Sequence, residues 1–77
     1  MAELDKIRWH CRRGLLELDI ILERFNQQHL AALAPGQLDQ FKELLKLDDN
    51  HLLDLILGRE LLAEQRLHPM LQLLQAA

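Results

Sequence analysis

The sequence predicts an all-α fold, a compact single-domain bundle of about five short helices over residues 1–77. Leucine supplies 21 of the 77 residues, and valine, threonine, serine and tyrosine are absent. Ile7, Ile20, Ile21 and Ile56 are then the only side chains branched at Cβ, so strand formers are scarce and good helix formers abundant. Apolar residues also recur at helical spacing between breaks marked by Gly14, Pro35, Gly58 and Pro69. With 49% apolar residues, a chain this short can build a core without metal or disulfide support.

The first helix is read from Leu4, Ile7 and Cys11, which fall at i, i+3 and i+7, while Arg8 and Arg12 share another face. Arg12 and Arg13 are expected in its last turn, where cations complement the negative end of the helix dipole, with Gly14 just beyond as a left-handed terminator. A second helix should run from about Leu15 to His29 or Ala32, with Leu15, Leu18, Leu22 and Phe25 as its seam and Ile21 widening it. Glu17 and Asp19 fall in its first turn, where carboxylates are favoured.

Pro35 is placed to open a third helix, since proline suits a first turn and disfavours helical geometry in the residue before it. Leu38, Phe41, Leu44 and Leu45 form its apolar face until Asp48-Asp49-Asn50 interrupts, and one of those three should cap the fourth helix. That helix carries Leu52, Leu53, Leu55, Ile56 and Leu57 and ends at Gly58. Arg59 to Leu67 forms a further turn or two or stays irregular, and Pro69 starts a final helix through Leu71, Leu73 and Leu74.

Charge and composition exclude several functions. A net charge of −3 argues against nucleic-acid binding, because beyond Arg8, Arg12 and Arg13 the cations are scattered. No apolar run approaches the roughly 20 residues that span a bilayer. Without serine, threonine or tyrosine, only Cys11 could be a conventional nucleophile, and adjacent His10 would point away from it on a helix; Cys11 is expected to be buried and inert. His10, His29, His51 and His68 lack metal-ligand spacing, and Asp48-Asp49-Asn50 lacks the alternating ligands of a calcium loop. Gly14, Gly36 and Gly58 each stand alone, so no phosphate-cradling loop exists and no flavin or other dinucleotide is expected to reside in this chain. An enzyme acting alone is therefore not expected.

The run Arg8-Trp9-His10-Cys11-Arg12-Arg13-Gly14-Leu15-Leu16-Glu17-Leu18-Asp19 remains, a corner more polar than folding alone explains. It resembles the small helical assembly factors that promote covalent FAD attachment to the flavoprotein subunit of succinate dehydrogenase. The resemblance is centred on Arg13-Gly14-x-x-Glu17, with Trp9, Cys11, Arg12, Leu18 and Asp19 at the family's spacing, and extends over nearly the whole chain. One departure is Leu55, where relatives often carry tryptophan.

The resemblance implies a bacterial cytoplasmic protein, in keeping with an amino terminus that does not read as a signal peptide. It implies docking on the flavoprotein subunit of succinate dehydrogenase, and in bacteria often that of fumarate reductase, with Arg13, Gly14 and Glu17 at the contact. Trp9 and Arg12 would surround it, and Arg8 and Asp19 would support it. FAD would belong to the partner, whose histidine bonds to the methyl at flavin position 8. A rival from another class is a regulatory, antitoxin-like protein-binding module using the same helical surface.

Overall fold

The computed structural model describes residues 3–77, with side chains from Asp5 onward. Five α-helices follow one another: α1 (Glu3–His10), α2 (Leu16–His29), α3 (Pro35–Leu45), α4 (Asp49–Ile56) and α5 (His68–Ala76). Short 3-10 turns, Leu30–Ala32 and Gln65–Leu67, extend α2 and lead into α5. No strand occurs among the described residues, so the all-α expectation holds.

Most boundaries follow local chemistry. Pro35 stands in the first turn of α3, where Gln37 Oε1 accepts the Ala34 N–H at 2.9 Å and satisfies an amide that no alanine side chain could serve. Asp48 caps α4 by accepting the His51 N–H at 2.7 Å. Gly58, at φ 78°, closes α4 with paired bonds, Gly58 N–H to Leu55 O at 3.3 Å and Arg59 N–H to Asp54 O at 2.9 Å, which take up carbonyls the helix leaves open. Pro69 lies in the first turn of α5.

Three details differ from the sequence reading. α1 stops at His10, so Arg12 and Arg13 lie beyond it rather than in its last turn. The Cys11 N–H is shared between Ile7 O and Arg8 O, and the Arg12 N–H turns back to Trp9 O, a tightening that ends the helix early. Gly14 is left-handed as expected, at φ 85°, but turns the segment between helices instead of capping α1. Leu57 is the exposed C-cap of α4, not part of its buried face. Residues 59–64 are irregular and Gln65–Leu67 forms one turn, within what the sequence reading allowed.

The core is one cluster. α5 lies against α2, α3 and α4, burying Met70, Leu71 and Leu74. The rings of Phe25 on α2 and Phe41 on α3 meet at 4.8 Å, a tilted pair inside the centroid range favoured by aromatic quadrupoles. α4 buries Leu52, Leu53, Leu55 and Ile56, which form one broad apolar face. Leu55 is fully buried and belongs to the core. α1 joins the cluster through Ile7 and Cys11; the side chain of Leu4, the third residue of that face, lies outside the described residues. The radius of gyration, 11.5 Å, is close to what a compact globule of this length should have.

Candidate functional site

The corner between α1 and α2 is held from both sides. Asp19, in the first turn of α2, reaches back so that Oδ1 accepts the Arg13 N–H at 2.9 Å and Oδ2 accepts the Gly14 N–H at 3.1 Å. One carboxylate thus fixes two successive amides. Gly14 is exposed, and a methyl group added there would meet nothing within 4 Å. Glycine is needed for its left-handed backbone, and its outer side leaves main chain uncovered.

Arg13 turns inward. Its side chain is only 13% exposed. Nε donates to Asp49 Oδ1 at 2.5 Å, Nη1 to Leu45 O at 2.6 Å, and Nη2 to Leu47 O. The planar guanidinium therefore serves the carbonyl end of α3 and the acidic start of α4 together, which suits its fixed fork of donors. It does not pair with Glu17, four residues on, but with a residue 36 positions away. The guanidinium is occupied within the fold, while the Arg13 main chain stays at the corner.

The remaining residues of the motif stand outward. Glu17 is exposed and makes no hydrogen bond or ion pair among the described residues. Arg12 is exposed, and Arg8 pairs loosely with Asp5 at 3.7 Å. Arg8, Arg12 and Asp19 line one cleft of about 520 Å³ together with Glu23 and Asn26. Trp9 is 72% exposed on α1 and lies outside that cleft.

Two residues escaped the sequence reading. Leu16 and Ile20 are 73% and 46% exposed, although the seam of α2 is filled by Leu18, Leu22 and Phe25. At i and i+4 they adjoin each other, and Glu17 lies beside Ile20 at i+3. The signal was present: an apolar pair off the face that already completes the helix's buried stripe.

Cys11 is buried, with its thiol 3.9 Å from Asn26 Oδ1, and burial pushes its pKa up. A thiolate is the reactive form, so this side chain acts as a small core residue. His29 lies against Phe25, His51 Nε2 is 3.3 Å from Glu60, and His68 Nε2 is 2.6 Å from Leu62 O. Among the described residues no group of three histidine, cysteine or acidic side chains could hold a metal ion. Among the described residues no helix is long and apolar enough to cross a membrane.

Residues 5–77 match the model of a family described as flavinator of succinate dehydrogenase. The FAD assembly factor SdhE of Coxiella burnetii is 49% identical over 53 residues, 69% of this chain and 65% of that protein. The protein of the same name from Pasteurella multocida is 36% identical over 77 residues, 97% of this chain and 92% of its own length. The one from Idiomarina loihiensis is 33% identical over 72 residues, covering 94% and 80%. The chain thus spans just under two thirds of the Coxiella relative and nearly all of the Pasteurella one.

Proposed function

The chain belongs to the family of flavinators of succinate dehydrogenase, and from that premise we propose that it binds the flavoprotein subunit of that enzyme, and of fumarate reductase, and promotes covalent FAD attachment there. The observation that carries this reading is the corner itself. An uncovered stretch of main chain at Gly14, pinned by Asp19, stands near Glu17, which has no partner among the described residues, and near exposed Leu16 and Ile20.

That combination suits an interface. Apolar Leu16 and Ile20 supply area, Glu17 supplies a charge-assisted hydrogen bond, and the absence of a side chain at Gly14 lets a partner approach the backbone closely. Trp9 and Arg12 provide flanking contact, with Arg8 beside them. Arg13 and Asp19 act by holding the corner in shape, so that less order must be imposed when the partner arrives.

Chemistry is left to the partner, which would own the FAD. This chain contributes no serine, threonine or tyrosine, and its one thiol is buried. A helper of this kind works by biasing the flavoprotein toward a conformation in which its own reacting groups meet, and holding them in reactive geometry can accelerate bond formation without any catalytic group from the helper.

The test is attachment of FAD to purified apo flavoprotein subunit, with and without this chain, read by flavin fluorescence in denaturing gels. Glu17→Ala should lower attachment at least about tenfold, equivalent to about 1.4 kcal/mol, with the fold retained. Attachment unimpaired by that substitution counts against the role given to the corner. Affinity purification separates this function from the antitoxin-like one, since flavoprotein subunits should dominate what is recovered.

A further inference from the structure

All three lysines of the sequence line a single cleft. Lys6 on α1 and Lys42 and Lys46 at the end of α3 surround a trough of about 590 Å³, with Ile7 and Leu45 along it and Arg13 as its wall. His10 lines it too, and among the described residues no carboxylate does. In a chain of net charge −3, this is a local reversal of sign.

Helix-end electrostatics account for Lys42, in the last turn of α3, but not for the whole cluster. Leu45 O, the last carbonyl of α3, and Leu47 O beyond it already accept from Arg13. Lys42 meets Asp39 at 4.0 Å, whereas Lys6 and Lys46 make no ion pair among the described residues. Lys6 stands within α1, away from any carbonyl end.

We infer that this trough receives an acidic, partly apolar segment of the flavoprotein subunit, extending the contact made at the Gly14–Glu17 corner; the inference rests on that docking. Continuity is supplied by Arg13, whose amide is part of the corner and whose side chain walls the trough. Carboxylates would meet the lysine tips, and aliphatic side chains would rest against Ile7 and Leu45. A phosphate ligand fits less well. Such sites use a free arginine fork or converging backbone N–H groups, and here the only guanidinium is committed to Asp49 and two carbonyls. Flexible, solvated lysines instead give diffuse attraction, which speeds encounter and orients an acidic protein surface.

The experiment measures association of the full chain with purified flavoprotein subunit at low and physiological ionic strength, for wild type and for a variant carrying Lys6→Gln and Lys46→Gln. The association rate at low salt should fall about three- to tenfold in the variant and depend less steeply on salt, with dissociation and melting little changed. Zero-length carbodiimide cross-linking of the wild-type complex should join Lys6 or Lys46 to aspartate or glutamate of the partner. If the complex forms with wild-type rate and salt dependence in the variant, the trough is not a docking site, and the corner reading stands. If wild type forms no complex at all, the corner reading fails and this inference with it. Retention of wild type on anionic vesicles or DNA, lost in the variant while flavoprotein association is unchanged, would overturn it in favour of a phosphate-bearing surface.

Discussion

The guanidinium of Arg13 meets the carboxylate of Asp49 at 2.5 Å, tying the turn after α1 to the first turn of α4 across 36 residues of sequence. The same side chain closes the end of α3 through Leu45 O and Leu47 O. Three elements that meet at the corner are therefore held by one residue.

Arg13→Ala should destabilise the fold by about 2 kcal/mol, because hydrogen bonds to charged groups contribute about 1.5 to 3 kcal/mol each and Asp49 is partly solvated. For a chain of this size that lowers the melting temperature by roughly 8 to 16 °C. Arg13→Lys should recover only part of it, since an ammonium cannot reproduce a three-way planar fork. Thermal denaturation followed by circular dichroism decides the matter. A melting point unchanged in Arg13→Ala would remove the residue from this structural role.

Gly14 separates a backbone requirement from a contact requirement. Its φ of 85° makes any side chain cost about 1 to 2 kcal/mol, but open space around it means that Gly14→Ala and Gly14→Leu should melt within about 0.5 kcal/mol of each other. Binding to the flavoprotein subunit should nevertheless fall much further with leucine than with alanine. Equal binding losses would assign the glycine to folding alone.

Glu17→Ala and the pair Leu16→Ala with Ile20→Ala should each leave stability within about 0.5 kcal/mol of wild type per site, because these side chains are exposed and outside the core. Flavin attachment should drop in both variants. A surface that serves only solubility would show no such loss, so parallel melting and attachment assays distinguish the two.

Arg66 grips Glu43 with two hydrogen bonds, at 2.6 and 2.9 Å, and these hold the Glu43 carboxyl below its ordinary 4.5. A carboxyl whose folded value is depressed contributes stability that is fully present above its unfolded value and is lost as pH falls through the folded one. The pair stands largely in solvent, with side chains 52% and 40% exposed, so the effect is screened and small. The difference in melting temperature between wild type and Arg66→Gln should be present at neutral pH and narrow as pH drops below about 4.5, vanishing in high salt. A difference that persists at pH 2 would point to packing of the arginine stem instead.

Much of the fold was legible because its signals are local. Pro35, Asp48, Gly58 and Pro69 act on amides and carbonyls within a turn of themselves, so each marks a boundary wherever the chain later goes. The seam Leu18, Leu22, Phe25 is likewise a matter of helical period. The early end of α1 was not legible. Two cations before a glycine look like a C-terminal turn, yet Arg13 gains more by leaving the helix to serve Asp49 and the end of α3. Asp19 was read as a complement to the helix dipole, and it fills that place while also binding two amides of the preceding turn.

By itself, then, the sequence determined that this protein is helical, where most of its helices begin and end, and that it belongs with flavinators of succinate dehydrogenase. Tertiary structure alone decided that Arg13 looks inward while Glu17, Leu16 and Ile20 look outward, and that three lysines from two distant helices share one trough. The physical reason is range. Capping and periodicity act over three or four residues, whereas the direction of a long charged side chain depends on which carbonyl ends and carboxylates packing has brought beside it.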